Sequence, residues 1–175
     1  MTVKRDVFPV PLKIRYKGLF DWTGVYRYVH EWMVKHQFRF YEKRYKDKLD
    51  TPLGNELEVD VYGEKEVSEY YAYYVEVNYH LWESREVPVV INGRQTKLWQ
   101  GRVHIQISGK VITDWQKRYK GDNKTHKFME TFLNKVILKN EIEMKHVDPL
   151  DKDLHRLEAD LKKLLKIEAD ASGVE

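Results

Sequence analysis

Residues 68–83 read SEYYAYYVEVNYHLWE, with five tyrosines and a tryptophan and neither glycine nor proline. Aromatic and β-branched residues that alternate with small and charged ones fit a pleated, half-buried surface, so a single very long strand is predicted over 66–84. Side chains alternate between faces along a strand. Tyr71, Tyr73, Val75, Val77, Tyr79 and Leu81 therefore form one inward row, while Tyr70, Tyr74 and Trp82 cover the other face. At roughly 3.3 Å per residue such a strand approaches 60 Å, so it must bend strongly or project beyond its core.

The segments on either side supply its partners. ELEVDVYG (56–63) places Leu57, Val59 and Val61 on one face, and a tight turn at Gly63-Glu64-Lys65 would set Val61 against Val67 and Leu57 against Tyr71. Downstream, Asn92-Gly93 is a strong signal of a type I′ hairpin turn. Unbroken pairing from that turn puts inward Leu81 beside His104, yet RVHIQISGKV (102–111) needs Val103, Ile105, Ile107 and Val111 inside. A slip of one residue reverses every face, so the hairpin must contain a bulge. Pro88, which cannot donate to a ladder, and Gly101 are the two places for it. A bulge near Pro88 pairs Leu81 with Val103, Tyr79 with Ile105, Val77 with Ile107 and Tyr73 with Val111; one near Gly101 gives a similar core.

Working outward, LKIRYKG (12–18) alternates Leu12, Ile14 and Tyr16 against Lys13, Arg15 and Lys17, a strand with a basic outer face. Asp21 offers an N-cap to a helix whose stripe is Trp22, Val25, Tyr26, Val29, Trp32, Met33 and His36. FRFYEKRYKDK (38–48) reads as a further strand. After Trp115 comes a basic loop, then a helix with Phe128, Phe132, Leu133, Val136 and Ile137 on one side. A last helix follows Pro149, with Leu150, Leu154, Leu157, Leu161 and Leu164 stepping by four and three. The expected fold is α+β: a curved antiparallel sheet of about five strands with a long bulged hairpin, packed against an N-terminal and a C-terminal helix. Residues 1–148 form one domain in this reading, and 149–175 a terminal Leu-seam helix with a frayed tail.

With 175 residues, 42% hydrophobic and 34% charged, the chain can bury one real core. It has no cysteine, which excludes disulfide frameworks and thiolate metal sites. Neither a spanning apolar run nor a leader-like h-region is evident, so a cytoplasmic location without a membrane span is expected. The net charge of +3 hides asymmetry: segments 1–50, 51–100, 101–148 and 149–175 carry +6, −5, +4 and −2. A basic patch could form where the first and third meet.

The order of strand, aromatic helix, antiparallel strands ending in a long hairpin, and C-terminal helix resembles the helix-grip architecture of START and polyketide-cyclase-like domains over residues 10–145. That resemblance implies a curved sheet wrapping a helix around a cavity for an apolar ligand. YKGLFDW (16–22) before the aromatic helix also resembles archaeal-type proteins to which no function is attached.

Walker loops, dinucleotide glycine fingerprints, nucleophile elbows and HExxH helices are missing, which points away from the common enzyme classes and implies no cofactor. The first reading is a non-enzymatic module holding an apolar or amphipathic small molecule between sheet and C-terminal helix, with Trp32, Tyr71, Tyr73, Tyr79 and Phe132 as walls and Glu69 as a carboxylate on the inward row. Asp114, with Tyr70 or Tyr71, would accompany Glu69. The alternative is a nucleic-acid or ribosome-associated protein that uses Lys13, Arg15 and Lys17 with Lys117, Arg118, Tyr119 and Lys120 of the basic loop: bases for phosphates, a ring for stacking. The third is a structural, self-assembling subunit, a homodimer through Leu154, Leu157, Leu161 and Leu164. With the Pro88 bulge, His80 and His104 fall opposite each other, close enough to share a metal, with Glu76 four residues along the strand. Two solvated histidines is the reading preferred there, and no functional metal is expected.

Overall fold

A computed structural model describes residues 3–49, 52, 54–91, 94–116 and 142–165. Six strands, β1 (Val3–Asp6), β2 (Leu12–Phe20), β3 (Arg39–Lys48), β4 (Asn55–Glu66), β5 (Tyr71–Ile91) and β6 (Arg94–Thr113), form one open antiparallel sheet. Helix α1 (Trp22–Lys35) links β2 to β3, and a π-helical turn over Glu143–Val147 runs directly into α2 (Asp148–Leu164). The spatial order is β1-β6-β5-β4-β3, with β2 also on β6. β2 takes Trp99–Ile107 of β6 and β1 takes Lys110–Thr113, so the two lie end to end along one edge and the sheet is five strands wide. The expected α+β fold is present.

Both described helices, α1 and α2, lie on the inner face. Asp21 caps α1, its Oδ1 accepting the Gly24 N–H at 2.9 Å. The stripe Trp22, Val25, Val29, Trp32 and Met33 is buried. It meets Leu57, Val59 and Val61 of β4, Val75, Val77, Tyr79 and Leu81 of β5, and Val103, Ile105, Ile107 and Val111 of β6, all buried in one core. The inward row read from alternation is thus the core row from Val75 to Leu81, with Tyr71 and Tyr73 half-buried beyond it. Among the described residues, no helix is long and apolar enough to cross a membrane.

The register between β4 and β5 differs from expectation. β4 runs straight through Gly63-Glu64-Lys65, and the turn comes at residues 67–70. Ser68 makes that turn: its Oγ accepts the N–H groups of Tyr70 (3.2 Å) and Tyr71 (3.0 Å), while Tyr71 O accepts those of Val67 and Ser68. Gly63 has another purpose, because a Cβ there would lie 3.0 Å from Phe38 Cβ and 3.1 Å from Met33 Sδ. Val61 therefore pairs with Val77 and Leu57 with Leu81. Glu69, expected on the inward row, is an exposed turn residue.

Between β5 and β6 the four pairs expected from a bulge near Pro88 are all present, from Leu81–Val103 to Tyr73–Val111. The bulge itself lies between Trp82 and Arg85, whereas Pro88 sits in regular pairing with Lys97. Its cause is local. Glu83 has φ +53°, Ser84 is fully buried with its Oγ donating to Asn55 O at 2.8 Å, and Gly101 faces them where a Cβ would come within 2.8 Å of Ser84 Cα. Past the end of β2 the hairpin projects, Ile91 pairing with Arg94 at its tip. The Asn92-Gly93 turn lies outside the described residues.

α2 packs into the same core. Leu150, Leu154, Leu157, Leu161 and Leu165 are at most 3% exposed, and Leu164 is 42% exposed. The leucine seam expected to pair two copies is therefore consumed within the monomer, with Leu165 in place of Leu164. Tyr28 OH donates to Asp160 Oδ2 at 2.7 Å and ties α2 to α1.

Candidate ligand face of the sheet

The outer face of the sheet is built from the residues that alternate with the core. Pairing sets them in cross-strand rows: Lys13, Gln106, Asn78, Asp60 and Arg44 in one, Arg15, His104, His80, Glu58 and Lys46 in the next, then Lys17, Arg102 and Trp82. At the β3–β4 side most cations meet acids, with Lys46 lacking an ion pair among the described residues. Arg44 bonds Asp60 (2.9 Å) and Glu58 (3.3 Å), Lys48 bonds Glu56 (2.6 Å), and Lys43 bonds Glu76 (2.9 Å). Glu56 also takes His80 Nε2 at 2.8 Å, and its carboxyl titrates below the usual range because Lys48 and then His80 hydrogen-bond its charged form.

The β2–β6 side is different. Lys13, Arg15 and Lys17 are exposed and have no ion pair among the described residues; Arg102 meets Glu83 at 2.7 Å. Beside them a cleft of about 410 Å³ is lined by Arg15, Lys17, Arg102, Trp82 and His104. A second, of about 430 Å³, continues from Lys17 past Gly18 and Gly101 to Gln100 and Arg85. The Trp82 indole stacks on His80 with centroids 3.7 Å apart, lies near-parallel to His104 at 6.3 Å, and has the Arg102 guanidinium 5.9 Å from its centroid. Burial first, then Arg15, Lys13 and His80, push the His104 pKa down, which favours its neutral imidazole. This side can offer phosphate-binding cations next to a flat aromatic floor.

The expected wall residues are placed elsewhere. Tyr79 is 1% and Trp32 7% exposed; Tyr79 meets the Trp22 ring edge-on at 5.0 Å, and Trp32 stacks between His36 and Phe38. They are core residues whose space is filled by α1. Tyr71 and Tyr73 gather at the far end of the inner face around His146 of the π-turn, with a Tyr71–His146 centroid distance of 4.0 Å and Tyr73 OH 3.0 Å from His146 Nδ1. Asp114 is buried nearby, its N–H donating to Tyr70 O at 2.8 Å, so it keeps that expected neighbour. Phe132, Lys117, Arg118, Tyr119 and Lys120 lie outside the described residues.

His80 and His104 do stand directly opposite each other. Their acidic neighbours are Glu56 and Glu58 across β4, which sequence reading missed; Glu76, the expected companion, is held by Lys43. The signal for Glu56 and Glu58 was the β4–β5 register, which depended on reading Ser68 as the turn residue. No family model matches this chain, and no curated protein or solved structure matches it either, so the likeness to helix-grip domains rests on element order alone.

Proposed function

We propose that this chain is a binding module whose outer sheet face docks single-stranded nucleic acid across β2 and β6. One observation carries the reading: three successive outward cations, Lys13, Arg15 and Lys17, stand without acidic partners among the described residues beside a cleft floored by Trp82 and His104. Neutralising phosphates releases counterions, and an indole face stacks with any base, so this pair of features suits a sequence-tolerant single strand. An apolar ligand on the inner face has no comparable support, since Trp32 and Tyr79 are taken up by packing.

Anisotropy of a labelled oligo-uridine or oligo-thymidine, titrated with the full chain at several salt concentrations, tests the reading. Three phosphate contacts at about 0.7 ions each give a slope of about −2 in log K against log salt. Binding that ignores salt, or that survives Arg15→Glu with Lys17→Glu unchanged, refutes it.

A further inference from the structure

We propose that Glu56, Glu58 and His80 form a binding site for a divalent first-row transition metal of the Zn²⁺ class on the β4–β5 half of the outer face. One donor atom from each residue lies within 4.8 Å of the others. His80 Nε2 is 2.8 Å from Glu56 Oε1 and 3.9 Å from Glu58 Oε1. Tetrahedral ligands at ~2.1 Å from an ion are ~3.4 Å apart, so these donors need only small rotations to converge on one centre.

The neighbouring cations strengthen the case. Lys48 holds Glu56 by Oε2, and Arg44 holds Glu58 by Oε2. Each carboxylate is thus gripped by one oxygen and turns the other, Oε1, towards His80. That is the arrangement in which outer partners orient metal ligands. Glu58 is 17%, Glu56 24% and His80 30% exposed, so none is a freely solvated side chain. The Trp82 ring stacked on His80 fixes the imidazole plane from above.

His104 stands outside the three converging donors. Across the ladder, His104 has an Nε2 that is sealed from solvent and without a hydrogen-bond partner among the described residues. It lines the same cleft of about 310 Å³ as His80 and Glu58. One imidazole with two carboxylates suits a borderline ion; Mg²⁺ and Ca²⁺ take oxygen ligands instead. The inference does not depend on nucleic-acid binding.

The test is calorimetric titration of the full chain with Zn²⁺ in a buffer that does not chelate, alongside the visible spectrum of Co²⁺ as a probe. The expected result is one ion per chain, a loss of affinity of at least 100-fold in His80→Gln and of at least 10-fold in Glu56→Gln, and no change in His155→Gln, which alters an exposed histidine on α2. Imidazole resonances of the unaltered protein provide a readout that needs no variant: substoichiometric Co²⁺ should shift or broaden His80 before His155. Equal losses in the His80 and His155 variants, or His155 responding first, overturn the proposal.

Discussion

The two halves of the outer sheet face carry the same residue types in opposite states of use. On the β3–β4 half, Arg44, Lys48 and Lys43 each meet a carboxylate within 3.3 Å. On the β2–β6 half, Lys13, Arg15 and Lys17 meet none among the described residues. Counting charges treats both halves alike, yet only cations without partners have their full field to spend on a ligand. A lysine on an edge strand can also serve to discourage edge-to-edge pairing. That duty requires charge alone, whereas the cleft also places an indole and an imidazole beside the charge.

The comparison breaks most directly by charge reversal. Arg15→Glu with Lys17→Glu should weaken oligonucleotide binding by about 100-fold or more, since two contacts are lost and two repulsions gained. Lys43→Ala, on the matched half, should change it by less than about twofold, and anisotropy titrations of both variants at one salt concentration settle the contrast. Next in size is Trp82→Ala. Stacking is worth about 1–3 kcal/mol per base, so affinity should fall by about 5- to 150-fold while the salt slope stays the same. A changed slope with an unchanged low-salt affinity would mean that Trp82 shapes the cleft without touching the ligand.

On the matched half the effect should be on folding. Asp60 is 7% exposed and bonded by Arg44 and by Asn78 Nδ2 at 2.9 Å. Arg44→Ala leaves a largely buried carboxylate with one partner fewer, at a cost of about 1–3 kcal/mol in urea unfolding. Lys13→Ala should cost less than ~0.5 kcal/mol, because an exposed cation without a partner loses little. Equal costs would show that the two halves do not differ as the ion pairs imply.

Which half a residue belongs to was legible in the sequence; which residue it touches often was not. Alternation put Leu57, Val59 and Val61 on the same face as Val75, Val77 and Tyr79, and that survives because the misplaced turn shifts the β4–β5 register by an even number of residues. The contact of His80 with Glu56 and Glu58 does not survive it, since a turn at 63–65 carries His80 past the end of β4. The bulge was legible because the Asn92-Gly93 turn and the alternation of 102–111 contradict each other unless one residue is extra. Its site was legible only in part: the bulge faces Gly101, one of the two places named, but the extra residue lies on β5 at Glu83–Ser84, while Pro88 tolerates regular pairing where its missing N–H is not needed. The leucine seam looked narrow enough to seek a second copy, but helical spacing alone does not say whether the covering surface comes from the same chain.

The smallest effect concerns His104, which links the two halves. Its neighbours are Arg15 and Lys13 on β2 and His80 on β5, and these, after burial, lower its pKa in the folded state. In the unfolded chain it takes up a proton as pH falls through about 6.5, whereas the folded ring resists until a lower pH. The unfolded state therefore binds more protons in that window, and acidification from 7 towards 5 should reduce stability. His104→Gln removes this contribution. Urea midpoints at pH 7.0, 6.0 and 5.0 should fall more steeply in the original chain than in the variant, by a difference well short of one full proton in slope. If the variant loses stability with acid as steeply as the original, the cations of β2 do not act on His104, and the charge row of that half is more fully screened by solvent than its lack of partners suggests.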